Sequence, residues 1–336
     1  MLVAGPAVAA VSIFAALVAT NAAGLPLRDP DHVAGRRLVL VLCLVAVLVA
    51  LDVVVRAGRR TGTLRPTRAE LRRVRRERWT LGRGVAVASA LTSFYVSYLA
   101  YRNLKSVVPL LRPGELFDRQ LAALDRMLFA GNDPAALLHT VLGTGLPTHV
   151  LSVAYLLFFA FIPATLALAL VFSPNLQAGL FYATAQSINW LLGAASYFLL
   201  PALGPVYAEP AVFANLPPSG VTRLQDILLD QRLEFIRDPM AGTAQSIAAF
   251  SSLHVSIFFT AALVAHALGL GRSLRVGAWL LLGLTIAATI FLGWHYVVDD
   301  FGGLLLGAAA FALARALTGV DLRAARRPST PAPSPA

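Results

Sequence analysis

A histidine and two aspartates lie in the otherwise apolar segment "GWHYVVDD". His295 and Asp299 are four residues apart, so on a helix they share one face. A carboxylate there accepts a hydrogen bond from one imidazole nitrogen and leaves the other as a nucleophile or base. The N-terminus of a helix that starts here also favours a bound anion. The alternative is a His–Asp pair that only closes a turn. Asp300 faces another direction, and we expect it to support the pair or to be structural.

A second histidine, His254, lies in the segment "SSLHVS". Ser251 and Ser252 precede it, and a hydroxyl group at Ser252 can donate a hydrogen bond to an anion. The alternative is that a serine only caps the start of a helix, which is common, beside a histidine whose hydrogen bonds are satisfied.

The segment "KSVVPLLRP" contains Lys105, the only lysine in a chain with 27 arginines, and Arg112 follows seven residues later. A lysine and an arginine together neutralise a phosphate, and arginine binds it with two parallel hydrogen bonds. The alternative is that both side chains only reach from the end of a span to the membrane surface.

A fourth segment, "GAASYFLLPALGPVY", repeats Gly193, Tyr197, Pro201 and Pro205 at intervals of four residues. We expect Tyr197 to stand behind the residues of the site. The alternative is a helix that ends at a proline, which these residues also explain.

The composition is that of a membrane protein, because 57% of the 336 residues are hydrophobic and 13% are charged, against about 25% charged residues in soluble domains. A helix crosses a membrane with roughly 20 apolar residues. We therefore predict an all-α, polytopic membrane helical bundle of about eight transmembrane helices. The predicted spans are 2–23, 38–57, 84–102, 147–171, 177–200, 246–268, 276–294 and 296–317.

The last two spans form one apolar run that is too long for a single crossing, and we predict that it breaks near Gly293 with His295 in the turn. Eleven arginines between Arg56 and Arg83 predict a cytoplasmic loop that anchors the topology. Alternation of the spans then brings all four segments to the outer face. Segments 115–130 and 221–237 have the pattern of amphipathic helices at the interface.

Three regions follow from this pattern: a two-span region with the basic loop (1–83), a catalytic membrane domain (84–317) and a disordered tail (318–336) that ends in "PSTPAPSPA". The charge distribution argues against nucleic-acid binding, because the basic residues cluster in one loop beside a span. The single cysteine, Cys43, excludes an internal disulfide. We expect a multi-pass protein of a bacterial plasma membrane, and the excess of arginine over lysine suggests a high-GC genome.

These segments resemble the three motifs of the type 2 phosphatidic acid phosphatase superfamily. "KSVVPLLRP" matches the first motif as written. "SSLH" matches the second with Ser251 for proline and Leu253 for glycine, and "HYVVD" matches the end of the third, with Ala288 and Thr289 where the superfamily has Ser-Arg. "SLHV" and "GWHYVVD", preceded by "G…Y…P…GP", are similar to the Aur1-like inositolphosphotransferase branch.

The resemblance implies a phosphohistidine mechanism that needs no metal or other cofactor. His295 would attack phosphorus, Asp299 would orient it, and His254 would act as acid and base. Lys105, Arg112 and Ser252 would bind the phosphate, with Tyr197 and Asp300 behind them. The partners would be a lipid phosphate, a lipid or polyol acceptor, and membrane lipids. Phosphatase and transferase remain alternatives, as do a transporter and an inactive member of the fold. The other histidines, His32, His139, His149 and His266, are interpreted as structural.

Overall fold

The computed structural model describes residues 2–29, 36–240 and 250–325, and these residues form helices and loops without a β-strand. The predicted all-α class is confirmed. In chain order the helices are α1 (Ala4–Ala22), α2 (Arg36–Thr61), α3 (Arg68–Arg78), α4 (Leu81–Leu111), α5 (Asp118–Leu128), α6 (Pro134–Leu142), α7 (Leu146–Leu156), α8 (Phe158–Ala167, continued by a π-helical turn over Leu168–Phe172), α9 (Leu176–Leu199), α10 (Pro205–Ala208), α11 (Gly220–Arg237), α12 (Leu253–Ala267), α13 (Arg272–Phe291), α14 (Val297–Thr318) and α15 (Leu322–Ala325). A short 3₁₀ turn covers Pro210–Phe213.

Five helical segments in the described residues are long and apolar enough to cross a membrane: α1, α4, Leu146–Phe172, α13 and α14. They correspond to five of the eight predicted spans, and the count of eight is not confirmed. Helix α12 is apolar but has only 15 residues, and residues 246–249 of its predicted span lie outside the described residues. Helix α9 has 24 residues, but Gln186 and Asn189 lower its hydropathy.

Helix α9 lies at the centre of the bundle, where it packs against α1, α4, α12 and α14. Most of its side chains are buried, including polar ones. Asn189 Nδ2 donates to Thr260 Oγ1 of α12 at 2.9 Å, and Thr260 Oγ1 donates to the Gly307 carbonyl of α14 at 3.2 Å. Because buried polar groups need partners, these bonds hold the three helices in a fixed alignment.

Helices α12 and α14 approach each other closely because α14 presents glycines to α12. A Cβ atom on Gly303 would lie 2.4 Å from the Ser252 carbonyl oxygen, and one on Gly307 would lie 2.7 Å from the Ser256 carbonyl oxygen. Small residues permit this kind of backbone approach between membrane helices. The Ser252 N–H also donates to the Asp299 carbonyl at 3.0 Å. The two histidine-bearing segments are therefore joined directly.

Replacing Gly303 with alanine is expected to destabilise the bundle by about 1–3 kcal/mol, because the new methyl group meets a backbone carbonyl. The measurement is the melting temperature of the purified protein in detergent. Gly283→Ala on α13 is the matched control, because nothing lies within 4 Å of a Cβ atom there. Alanine also favours the helix more than glycine does, so the control should melt at the same or a higher temperature. Equal melting temperatures for the two variants would contradict the close contact.

The predicted break near Gly293 is confirmed. Helix α13 ends at Phe291 and α14 begins at Val297. Gly293 has a φ of 73°, in the left-handed region that favours glycine at the end of a helix. The Trp294 N–H donates to the Thr289 carbonyl at 2.9 Å, so the turn folds back on the last part of α13. His295 lies in this turn.

Two helices outside the spans, α5 and α11, correspond to the predicted amphipathic segments. In α5 the buried face differs from the leucine pattern. Leu124 and Leu128 are exposed, whereas Asp118 and Asp125 are buried. The reason is that both carboxylates accept hydrogen bonds from the neighbouring segments described below.

At the C-terminal end of the chain, α14 ends at Thr318, and residues 326–336 of the predicted tail lie outside the described residues.

Candidate active site

A cavity of about 390 Å³ opens between α4, α7, α8, α9, α11, α12 and the turn before α14. We call it the histidine cavity, because His254 and His295 both line it. Lys105 and Tyr197 line it as well. Residues from all four segments singled out in the sequence therefore meet in one place. Of the two candidate cations, Lys105 lines this cavity and Arg112 does not.

His295 is buried, with 5% of its surface exposed. Its Nδ1 atom lies 3.4 Å from Oδ2 of Asp299. The same oxygen accepts the Tyr296 N–H at 3.0 Å, and Asp299 is 0% exposed, so this carboxylate is held in place. An imidazole whose Nδ1 faces a carboxylate presents Nε2 as its reactive nitrogen.

His254 is held by aromatic rings. Its ring centroid lies 4.2 Å from that of Tyr155 at an interplanar angle of 21°, and 3.9 Å from that of Phe158. Tyr155 in turn stacks on Trp294 at 5.2 Å and 2°. Among the described residues, the buried His254 Nε2 atom has no hydrogen-bond partner. The rings of Tyr155 and Phe158 therefore hold the imidazole in one orientation, with Nε2 available to exchange a proton with a leaving group.

Two cations of α4 line the cavity. Lys105 Nζ lies 5.9 Å from the ring centroid of Tyr101 and 5.9 Å from that of Tyr197. Arg102 is 7% exposed and donates to the Tyr98 hydroxyl at 3.1 Å. Residues three apart share a helix face, so Arg102 and Lys105 project to the same side. The sequence interpretation missed Arg102, although its spacing from Lys105 and its place at the end of a predicted span were visible.

Arg112 lies outside the histidine cavity. It follows the last residue of α4, and its Nε donates to the Glu115 carboxylate at 2.8 Å, while Nη1 donates to the Phe198 carbonyl. The Glu115 hydrogen bond raises the pKa of Arg112, and Arg112 lowers the pKa of Glu115. Arg112 instead lines a second cavity of about 300 Å³ with Arg232. The expectation that Arg112 joins Lys105 at the phosphate is therefore corrected, because its guanidinium group is bound elsewhere.

Ser252 does not line the histidine cavity either. It is 0% exposed and caps α12, where its hydroxyl oxygen accepts the Val255 N–H at 3.5 Å. Asp300 is also buried, and its Oδ2 accepts the Thr289 hydroxyl at 2.9 Å. Thr289 occupies the position at which the third superfamily motif has arginine. The geometry of Ser252 thus matches the capping alternative, and Asp300 is buried against Thr289 and does not line the cavity.

The N-terminus of α14 is already bound to a carboxylate. The Val297 and Val298 N–H groups donate to Asp125 of α5 at 2.7 and 3.0 Å. Burial raises the pKa of Asp125, and these two bonds lower it in part. The expectation that this helix terminus helps to hold an anion is therefore wrong, because Asp125 occupies it. A phosphate in the cavity depends on side-chain cations instead.

Asp118, also on α5, binds the segment after α9 and the turn before α14. Its carboxylate accepts the Leu203 N–H at 2.9 Å and the Gly204 N–H at 2.8 Å, and the Tyr296 hydroxyl at 3.2 Å. Gly204 has a φ of 102°, and a Cβ atom there would lie 2.6 Å from the Trp294 carbonyl oxygen. Helix α5 therefore fastens the segment after α9 to the turn that carries His295. This role of Asp118 and Asp125 is not visible in the sequence, because nothing local marks their distant partners.

Asp125→Ala is expected to destabilise the protein by about 1–3 kcal/mol, because two N–H groups at the start of α14 lose their partner. It should also lower turnover, since His295 precedes this helix start. Melting temperature and activity in detergent measure the two effects. Asp230→Ala, at an exposed position on α11, is the control and should change neither. A full-strength, fully stable Asp125→Ala protein would refute the positioning role.

The remaining histidines stay outside the cavity. His139 Nε2 is 2.8 Å from the Phe291 carbonyl oxygen, and its ring packs against Phe291 and Phe213. His149 and His266 are exposed, and His32 lies outside the described residues. Within residues 2–29, 36–240 and 250–325, no group of three or more His, Cys, Asp or Glu side chains is arranged to hold a metal ion.

Comparison with family models finds one match, described as PAP2 superfamily, over residues 119–313. This is more than half of the chain. The chain belongs to the PAP2 superfamily. The superfamily generally comprises phosphatases of lipid phosphates, so the helical membrane bundle is a phosphatase or phosphotransferase fold. Comparisons with curated proteins and with solved structures give no match.

The matched range includes His254, His295 and Asp299 but begins after Lys105 and Arg102. The two histidine segments therefore lie within the superfamily match. The cations of α4 are assigned to the same site by the geometry of the cavity alone.

Proposed function

We propose that the protein is a lipid phosphate phosphotransferase or phosphatase that works through a phosphohistidine on His295. One observation carries the proposal: His254 and His295 line a single cavity together with Arg102 and Lys105. Two imidazoles supply a nucleophile and a proton carrier, and two cations supply charge for the phosphoryl oxygens. Superfamily membership supports the same reaction class.

In the first step, Nε2 of His295 attacks phosphorus. A P–N bond forms, the bond from phosphorus to the leaving oxygen breaks, and His254 gives its proton to that oxygen. In the second step, His254 takes a proton from the incoming hydroxyl group or water, whose oxygen attacks phosphorus and breaks the P–N bond. The Asp299 carboxylate, 3.4 Å from His295 Nδ1, stabilises the positive charge on that imidazole in both steps. Arg102 and Lys105 stabilise the negative charge on the phosphoryl oxygens during both transfers. No step requires a metal or a cofactor.

The acceptor separates two forms of the proposal. Water makes the protein a lipid phosphatase, and a lipid or polyol alcohol makes it a head-group transferase. The similarity of "SLHV" and "GWHYVVD" to inositolphosphotransferases favours transfer. The aromatic lining of the cavity, with Tyr101, Tyr155 and Trp190, is suited to a substrate that is partly apolar.

The membrane arrangement is part of the proposal. The arginine-rich segment 56–83 is assigned to the cytoplasm by the positive-inside rule. Lys105 and Tyr197 lie near the ends of α4 and α9, and His254 lies at the start of α12. The cavity then opens at the outer face of the plasma membrane, where a lipid head group lies. The buried polar groups Asn189 and Thr260 hydrogen-bond each other, which argues against an ion path between these helices.

The test is to trap the covalent intermediate. The protein purified in detergent is mixed with short-chain lipid donors, without an acceptor alcohol, and digested for mass spectrometry under neutral conditions. Phosphatidic acid and phosphatidylinositol are the first two donors. An adduct on the peptide that contains His295 supports the mechanism, and its mass identifies the group that is taken from the donor. A bare phosphoryl group indicates a monoester donor, and a phosphoryl group that still carries inositol indicates head-group transfer. Turnover of a donor with no adduct on His295 under any quench would overturn the phosphohistidine.

A further inference from the structure

The eleven arginines between Arg56 and Arg83 divide into those bound to the end of a span, those paired with an acid, and those that are exposed without a partner in the described residues. Arg56, Arg78 and Arg83 bind the end of the span Leu146–Phe172. They donate to the carbonyls of Phe172 at 2.7 Å, Ser173 at 2.6 Å and Leu170 at 3.1 Å, respectively. The last carbonyls of a helix have no intrahelical partner, and cations there are favourable. These three arginines are therefore part of the bundle.

Helix α3 is fixed to α2 through the same region. Val74 is 4% exposed and packs against Val53 and Ala57. The buried Asp52 carboxylate accepts Arg78 Nε at 3.3 Å and Trp79 Nε1 at 3.1 Å. Helix α3 is therefore a preformed element with one face attached to the bundle, and the orientation of its opposite face is set.

The opposite face of α3 is basic. Arg68, Arg72, Arg75 and Arg76 are exposed, and intervals of three and four residues bring them to one side of the helix. Within the part of the chain that the structure describes, no hydrogen bond or ion pair involves these four side chains, nor those of Arg59 and Arg65 nearby. The nearby acids are committed to other arginines, since Glu77 pairs with Arg60 at 2.8 Å and with Arg73 at 2.9 Å. The face thus carries uncompensated positive charge.

The position of α3 suggests what covers this face. It lies between the end of α2 at Thr61 and the start of the span α4 at Leu81, so it sits beside the point where a helix leaves the membrane. Leu64, in the loop before α3, is 98% exposed. An exposed apolar side chain next to a row of arginines is the combination found in segments that lie on membranes.

We propose that the arginine face of α3, formed by Arg68, Arg72, Arg75 and Arg76 with Arg59 and Arg65, binds the anionic head groups of membrane lipids. Binding is by charge, at the depth of the phosphates. The face gains roughly fivefold in affinity for each arginine at the surface of an anionic membrane, and the effect weakens as salt is added. This lipid site is separate from the histidine cavity and does not depend on the proposed reaction.

The test is a titration of the detergent-purified chain with dioctanoyl phosphatidylglycerol, and with dioctanoyl phosphatidylcholine as the neutral lipid. The variant carries Arg68→Gln, Arg72→Gln and Arg75→Gln. The control carries Arg119→Gln, Arg223→Gln and Arg237→Gln, which are exposed on α5 and α11 and remove the same net charge. All three proteins should melt at the same temperature in neutral detergent, because every substituted side chain is exposed.

The unmodified chain is expected to prefer phosphatidylglycerol. The α3 variant should lose at least about tenfold in affinity for it, and the control less than about twofold. Equal losses in both variants would show attraction to overall charge and would overturn the site. An unchanged affinity in the α3 variant, or equal binding of the neutral lipid, would overturn it as well.

Discussion

His295→Ala is expected to lower turnover by roughly 10⁴-fold or more, because removing the nucleophile of a covalent mechanism leaves only the binding contribution of the site. His254, the other histidine of the cavity, is not placed to replace His295 as the nucleophile. His254 packs against Tyr155 and Phe158. Among the described residues it has no carboxylate partner of the kind that Asp299 provides at 3.4 Å from His295. The measurement is product formation under single-turnover conditions, together with the covalent adduct.

The matched control is His149→Ala. His149 is exposed on α7 and does not line the cavity, so its removal should leave turnover and melting temperature unchanged. Circular dichroism and melting of the His295→Ala protein show whether its fold is retained. A stable His295→Ala protein that keeps more than about one-hundredth of the activity would exclude His295 as the nucleophile.

Arg102→Gln is expected to lower kcat/KM about 10²- to 10³-fold, the range found when one donor to a developing negative charge is removed. Arg102 is 7% exposed and lines the cavity with both histidines. Arg112→Gln should cost much less, on the order of threefold, because an exposed ion pair contributes little and Arg112 is bound to Glu115 outside the cavity. The superfamily motif taken alone predicts the opposite order, so the two variants separate the motif from the structure.

Glutamine keeps part of the length of each arginine side chain and an N–H donor, but it removes the positive charge. Melting temperatures of both variants are needed, because Arg102 also donates to Tyr98 at 3.1 Å and Arg112 to the Phe198 carbonyl. Activity per folded molecule is the quantity compared. If Arg112→Gln proves the more damaging substitution at equal stability, Arg112 must swing into the cavity when substrate binds, and the assignment of Arg102 is wrong.

The fold class of the protein could be predicted from local patterns in the sequence. Apolar runs predicted the helices, and an amphipathic spacing predicted α5 and α11. The run 276–317 was too long for one span, and Gly293 supplied the left-handed residue that ends α13. Each of these inferences depends on residues within a few turns of one another. The histidine segments also identified the superfamily, whose family model covers both of them.

The number of spans was harder to predict, because hydropathy depends on the types of residue in a segment and not on the contacts that those residues make. Helix α9 carries polar residues that the bundle pairs internally, such as Asn189 with Thr260. A window of sequence gives no sign of whether such a residue meets water, lipid or another side chain. The five segments that qualify as spans meet the requirements of length and hydropathy.

Local patterns in the sequence thus predict a helical membrane protein of the PAP2 superfamily, with His254, His295 and Asp299 as candidate catalytic residues. The tertiary structure decided which other residues join them. Arg102 takes the place expected for Arg112, because the face of α4 that carries Lys105 turns toward the cavity while its last turn does not. Asp125 occupies the start of α14 although 172 residues separate the bonded groups. Such contacts depend on how helices pack, and packing is a property of the whole chain that no local spacing encodes.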